Sequence, residues 1–111
     1  MRDCLLSIAI CTFNRAALLD DALRSFAATD KPSGLPFELL VIDNNSNDST
    51  RSVVEGWATR SEFPLRYIFE GKQGVSPARN RAVKEATGHW IWYVDDDVYF
   101  CLLYTSDAAD E

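Results

Sequence analysis

Residues 89–97 read HWIWYVDDD. A short run rich in aromatic and β-branched residues stops at three consecutive acids, the pattern of a buried strand whose carboxyl end meets water or a ligand. The same construction recurs upstream. Residues 5–12 (LLSIAICT) end at Phe13, Asn14 and Arg15; residues 37–42 (FELLVI) end at Asp43, Asn44 and Asn45; residues 65–69 (LRYIF) end at the loop 70–75 (EGKQGV). Helical patterns lie between these strands. Leu18, Leu19, Ala22, Leu23, Phe26 and Ala27 recur on one face, with Asp20, Asp21, Arg24 and Ser25 opposite. Val53, Val54, Trp57 and Ala58 mark a second helix, and Ala78, Ala82, Val83 and Ala86 a third over residues 77–87. Asn14 is expected to cap the first helix, with Asp20 and Asp21 early in it where its dipole favours acids. Ser76 is expected to cap the third, with Pro77 at its first position and Gly88 just past its end.

The order β-α-β-α-β-α-β with short connections predicts an α/β fold: an open, mainly parallel sheet with helices on both faces. In such a sheet the carboxyl ends of the strands share one edge, and ligands bind outside that edge. The polar clusters at 12–15, 43–45, 70–74 and 95–97 are therefore expected to converge.

Composition narrows the function. A chain of 111 residues, 47% hydrophobic and 25% charged, fits one globular domain or a piece of one rather than a disordered segment. Its net charge of −6, with no basic stripe, argues against nucleic-acid partners. Cys4, Cys11 and Cys101 follow no disulfide spacing, and no leader or membrane-spanning run is evident, so reduced thiols in the cytoplasm are expected. Cys4 and Cys11 read as small core residues, and His89, beside Trp90, as structural.

The sequence has no G-x-G-x-x-G after its first strand and no P-loop, so nucleotide binding would have to use acids and a metal. Three adjacent carboxylates repel one another unless a cation joins them, and hard oxygen donors suit Mg²⁺ or Mn²⁺. The alternative is a solvated acidic turn. Asp43 is placed either to accept hydrogen bonds from a base or ribose or to form an Asx-turn. Arg79 could reach an anionic ligand, or be a surface charge.

Taken together, SIAICTFNR, FELLVIDNNSNDST, GVSPARNRAVKEATGHWI and YVDDD resemble the nucleotide-sugar-binding half of family 2 glycosyltransferases with a Rossmann-like GT-A fold, over residues 5 to about 98. The resemblance implies a nucleotide-sugar site made of Thr12, Asn14 and Arg15 along the nucleotide, Asp43 on the base with Asn45 in the same loop, Arg79 and Asn80 near the sugar diphosphate, and Asp95 and Asp96 toward the ribose and metal. Asp97, with Asp95, is implied as the ligand of Mg²⁺ or Mn²⁺. The implied reaction moves a sugar from a nucleoside-diphosphate sugar, usually a UDP-sugar, to an acceptor hydroxyl with inversion. Its general base is expected beyond residue 100, so this chain by itself is expected to bind donor without turnover. The full-length protein is expected in the cytoplasm or on the inner face of the membrane, with no membrane segment in this chain.

Two other readings compete. YVDDDVYF also fits the D-x-D strand of haloacid-dehalogenase-type phosphatases, with Asp95 as nucleophile and Asp97 as acid, although that strand normally opens its domain. The chain could also be a non-catalytic nucleotide-binding half-domain. Residues 101–111 (CLLYTSDAADE) fit neither pattern and look like a translated transposon-type sequencing adapter. On that reading residues 1–100 are a partial GT-A domain and residues 101–111 a non-native tail. Without the tail 11 basic and 14 acidic residues remain, a net charge of −3.

Overall fold

The computed structural model describes residues 4–28 and 36–96. Four strands and three helices alternate: β1 Leu6–Thr12, α1 Ala16–Ala28, β2 Phe37–Asp43, α2 Thr50–Arg60, β3 Leu65–Phe69, α3 Val75–Glu85 and β4 Trp90–Asp95. The strands form one sheet in the order β3-β2-β1-β4, every neighbouring pair parallel. The expected α/β architecture is present. Asp97, Cys101 and the 101–111 segment lie outside the described residues.

Side chains alternate across each strand with period two, which splits the core into two layers. Ile8, Ile10, Leu39 and Val41 pack under Leu19, Leu23 and Phe26 of α1 and Val54 of α2. Ala9, Leu40 and Ile42 face Ala78 and Ala82 of α3. A right-handed crossover returning across the sheet from β3 to β4 must pass on the opposite face from those that built β1 to β3. Among the described residues, α3 alone lies on that side.

Several local expectations are corrected. Arg15, not Asn14, takes the cap position of α1, its carbonyl accepting from Leu19 N–H at 2.9 Å. Asn14 sits at φ 51°, a left-handed conformation that asparagine tolerates better than most residues. The side-chain cap comes from elsewhere: Asp48 accepts from Ala16 N–H at 3.2 Å and from Thr50 N–H at 3.0 Å, holding the starts of α1 and α2 together. Burial opposes the charge of Asp48, but the Thr50 hydroxyl and these two N–H donors outweigh it and hold the carboxyl below its usual range. Asp20 and Asp21 fall past the first turn of α1 and pair with Arg24.

Helix α3 starts at Val75, with Gly74 as its cap at φ 127°, a backbone that glycine alone adopts without strain. Ser76 and Pro77 are its second and third residues, where an N–H lacks an intrahelical partner in any case. Val83 is 57% exposed rather than inward, and Ala58 and Leu18 also face outward. Gly88 does not end α3, which stops at Glu85 with Ala86 extended behind it. It lies against β1 instead: a Cβ there would stand 2.7 Å from Ser7 Oγ and 2.8 Å from Ser7 N.

Candidate functional site

The strand order places a topological switch between β1 and β4, since the chain runs outward from β1 to β3 and then crosses back to the other flank of β1. Crevices at such points are the usual ligand sites of open α/β sheets. A cavity of about 480 Å³ opens there. Its walls are Cys11, Thr12, Phe13 and Arg15 from the end of β1, Tyr93 to Asp96 from the end of β4, and Gly74, Val75, Ala78 and Arg79 from the start of α3.

Register explains the central contact. Cys11 is opposite Asp95, so the next residues, Thr12 and Asp96, meet just past the strand ends. Thr12 Oγ1 donates to Asp96 Oδ2 at 2.9 Å and Arg15 Nη1 to Asp96 Oδ1 at 3.2 Å. Asp96 is 5% exposed, whereas the adjacent Asp95 is exposed on the cavity wall. Arg79 stacks its guanidinium 4.9 Å over the Tyr93 ring, a cation-π contact that holds a positive charge on the opposite wall. Burial pushes the Cys11 thiol up; Arg79 partly opposes this and Asp96 adds to it.

Five of the residues expected in the site therefore converge: Thr12, Arg15, Arg79, Asp95 and Asp96. Asn14, Asp43, Asn45 and Asn80 do not line the cavity. Asn14 is occupied between loops, its N–H donating to Ser46 Oγ and its Oδ1 accepting from Asn47 N–H. Asn45, at φ 71°, and Asn80 are exposed. Asp43 is 1% exposed, with Oδ1 accepting from Ser46 N–H at 2.9 Å, the Asx-turn alternative, and Oδ2 from the Tyr67 hydroxyl at 2.6 Å. Burial and that hydrogen bond push the Tyr67 phenol up.

Asp43 stands one strand away from the β1/β4 switch and on the face of Leu39 and Val41 under α1 and α2, while Asn44 falls on the α3 face with the cavity. Asn44 is a cavity residue that motif reading passed over. Its Nδ2 donates to Lys72 O at 2.8 Å and Glu70 O at 3.3 Å, and its Oδ1 accepts from Gly74 N–H at 2.9 Å. It thus shapes the loop that leads into α3. Period-two alternation from Leu40 and Ile42 was the signal that could have found it.

Among the described residues no three His, Cys, Asp or Glu side chains cluster as a metal cage. The donors at hand are carboxylates: Asp95 is exposed at the cavity, while both oxygens of Asp96 are already engaged. One exposed carboxylate with room for water suits the loose, water-rich shell of Mg²⁺ or Mn²⁺ better than a closed site.

Residues 7–100 match the family model described as Glycosyl transferase family 2. The chain belongs to that family. It is 33% identical over 92 residues to the succinoglycan biosynthesis protein ExoM of Rhizobium meliloti, covering 83% of this chain and 29% of that protein. The crystal structure of Staphylococcus aureus TarS 1-349 in complex with UDP-GlcNAc superposes with a TM-score of 0.79 at 30% identity, over 96% of this chain and 30% of that one. The Pyrobaculum calidifontis mannosyltransferase PcManGT in complex with GDP-Man and Mn²⁺ gives 0.78 at 28% identity, over 90% and 29%. The fold is that of the amino-terminal part of GT-A enzymes, and the chain spans less than two-fifths of the length of the curated relatives it matches. Family membership takes the place of the phosphatase reading of Asp95 and Asp97. Among the described residues no helix is long and apolar enough to cross a membrane.

Proposed function

We propose that this chain is the donor-binding part of an enzyme that transfers a sugar from a nucleoside-diphosphate sugar, a UDP-sugar in the simplest case, to an acceptor hydroxyl with inversion. The observation that carries this is the cavity at the β1/β4 switch, where a hydroxyl (Thr12), two guanidinium groups (Arg15, Arg79) and an exposed carboxylate (Asp95) face one space. Arginines on its walls suit an anionic diphosphate, and Thr12 offers a hydrogen-bonding group beside the nucleotide. Asp43 supports this wall through the Asx-turn at Ser46 rather than lining it, Asn14 and Asn45 would need a rearranged loop to touch the donor, and Asn80 lies on an exposed face of α3.

Asp95 and Asp97 would hold Mg²⁺ or Mn²⁺, which when bound supplies positive charge to stabilise the leaving diphosphate. The relatives whose structures hold UDP-GlcNAc and GDP-Man with Mn²⁺ support the donor class and the metal. The acceptor-side base belongs to sequence beyond residue 100, so the chain alone binds donor without turnover, as a nucleotide-binding half-domain. The full-length protein would work in the cytoplasm or at the inner face of the membrane.

Calorimetry of the chain with UDP and Mn²⁺ tests this. Binding that weakens at least tenfold in Asp97→Ala supports the metal assignment, and equal binding by both forms overturns it. Turnover by the chain alone would contradict the half-domain assignment. Residues 101–111 would be adapter-derived, since CLLYTSDAADE continues neither the strand nor the helix pattern of the rest of the chain. Sequencing the uninterrupted gene past Phe100 decides that point.

A further inference from the structure

The middle acid of the trio is unlike its neighbour. Asp96 is 5% exposed and directs both oxygens at the β1 loop, one onto Thr12 Oγ1 at 2.9 Å and the other onto Arg15 Nη1 at 3.2 Å. Asp95 is exposed on the cavity wall. A nearly buried carboxylate whose oxygens both already accept hydrogen bonds, one of them from a guanidinium, is a poor ligand for a further cation, because a metal would have to displace that charged partner. The ion pair also offsets the middle of three adjacent negative charges, which lowers the repulsion that this charge exerts on its neighbours.

We propose that Asp96 is a positioning residue that touches neither donor nor metal: it locks Arg15 and Thr12 of the β1 loop against the end of β4 and so sets one wall of the cavity. This rests on the donor-binding reading above. It predicts a division of labour within the trio, with Asp95 and Asp97 serving the cation and Asp96 serving the loop.

The test is a double-mutant cycle in the 111-residue chain, with UDP affinity measured in Mn²⁺ and Mn²⁺ uptake measured without nucleotide. Asp96→Asn keeps an oxygen for Thr12 but loses the charge that holds Arg15. It should weaken UDP binding about fivefold in the wild-type background and less than twofold in an Arg15→Gln background, the signature of residues acting as one unit. Arg15→Lys, which keeps a cation within reach of Asp96, should recover part of the loss. Mn²⁺ uptake should stay within twofold in Asp96→Asn but fall in Asp95→Asn. Equal loss of Mn²⁺ in both variants, or an undiminished effect of Asp96→Asn in the Arg15→Gln background, overturns the proposal. If the wild type binds no UDP, the donor reading fails instead, and amide exchange decides the lock. Faster exchange at residues 13–16 in both Asp96→Asn and Arg15→Gln supports it, and unchanged exchange overturns it.

Discussion

Two nearly buried acids stand at opposite ends of the same sheet. At the amino edge, Glu38 of β2 is 7% exposed and its Oε2 accepts from Ser7 Oγ at 2.7 Å, Thr87 N–H at 2.8 Å and Thr87 Oγ1 at 3.0 Å, with Arg66 Nε at 3.5 Å from Oε1. At the carboxyl edge, Asp96 is as buried, but its partners are a hydroxyl and the 54% exposed side chain of Arg15, beside a cavity. Glu38 is held by a backbone N–H and short hydroxyls in a place so tight that Gly88 admits no Cβ. Its hydrogen bonds to Ser7 and Thr87 join β1, β2 and the turn into β4. Asp96 is held by a long, partly solvated arm that a ligand could redirect. Burial alone does not mark a functional acid; the stiffness of its partners and the space beside it do.

The contrast can be broken most severely at Gly88. Gly88→Ala would drive its Cβ into Ser7 N and the Leu6 carbonyl carbon, 2.8 and 2.9 Å away, both backbone atoms that cannot turn aside. A loss of about 2–3 kcal/mol is expected, read as a lower urea midpoint at unchanged slope. A wild-type midpoint would mean that the amino edge is softer than it looks.

Glu38→Gln comes next, with an expected cost of about 1–2 kcal/mol at neutral pH, because a charged acceptor of several donors is lost. Its pH signature is sharper. Burial opposes the Glu38 charge, but the Thr87 N–H, the Ser7 and Thr87 hydroxyls and Arg66 outweigh it and hold the folded carboxyl below its ordinary value. The stabilisation is therefore complete above the unfolded value of 4.5 and drains away as pH falls through the lowered folded value. Glu38→Gln should flatten the acid limb of the stability profile; an unchanged limb would deny Glu38 its role.

At the carboxyl edge, Asp48→Ala removes the shared cap of α1 and α2 and should cost about 1 kcal/mol, seen as a lower melting temperature. No change would mean that water replaces the cap. The smallest effect concerns Cys11, half-buried in the cavity wall with its thiol pushed up. Its alkylation at pH 7 should be slower than that of free cysteine, which mass spectrometry of the modified peptide would show, and equal rates would imply a more open cavity.

Much of this was legible in the sequence. Runs such as LLSIAICT and FELLVI, cut off by polar clusters, marked parallel strands with a shared functional edge, and the structure bears out the element order and sheet. Thr12, Arg15, Arg79, Asp95 and Asp96 were named from motifs and line the cavity. Asp43 shared the same motif strength but points to the other face. Asn44 drew no attention, because an asparagine inside a polar loop looks like turn chemistry until its three partners, 26 to 30 residues away, are seen.

The sequence by itself determined the periodicities, the ends of the elements to within a few residues, and the family. These depend on neighbours along the chain: alternation for strands, i, i+4 spacing for helices, glycine and proline for breaks. Only the tertiary structure decided which acid is a lock and which is open, that Gly88 serves β1 rather than α3, and that Asp48 rather than Asn14 caps α1. Each of those depends on a contact across 32 to 84 residues, set by strand register and helix placement, and no local pattern carries that information.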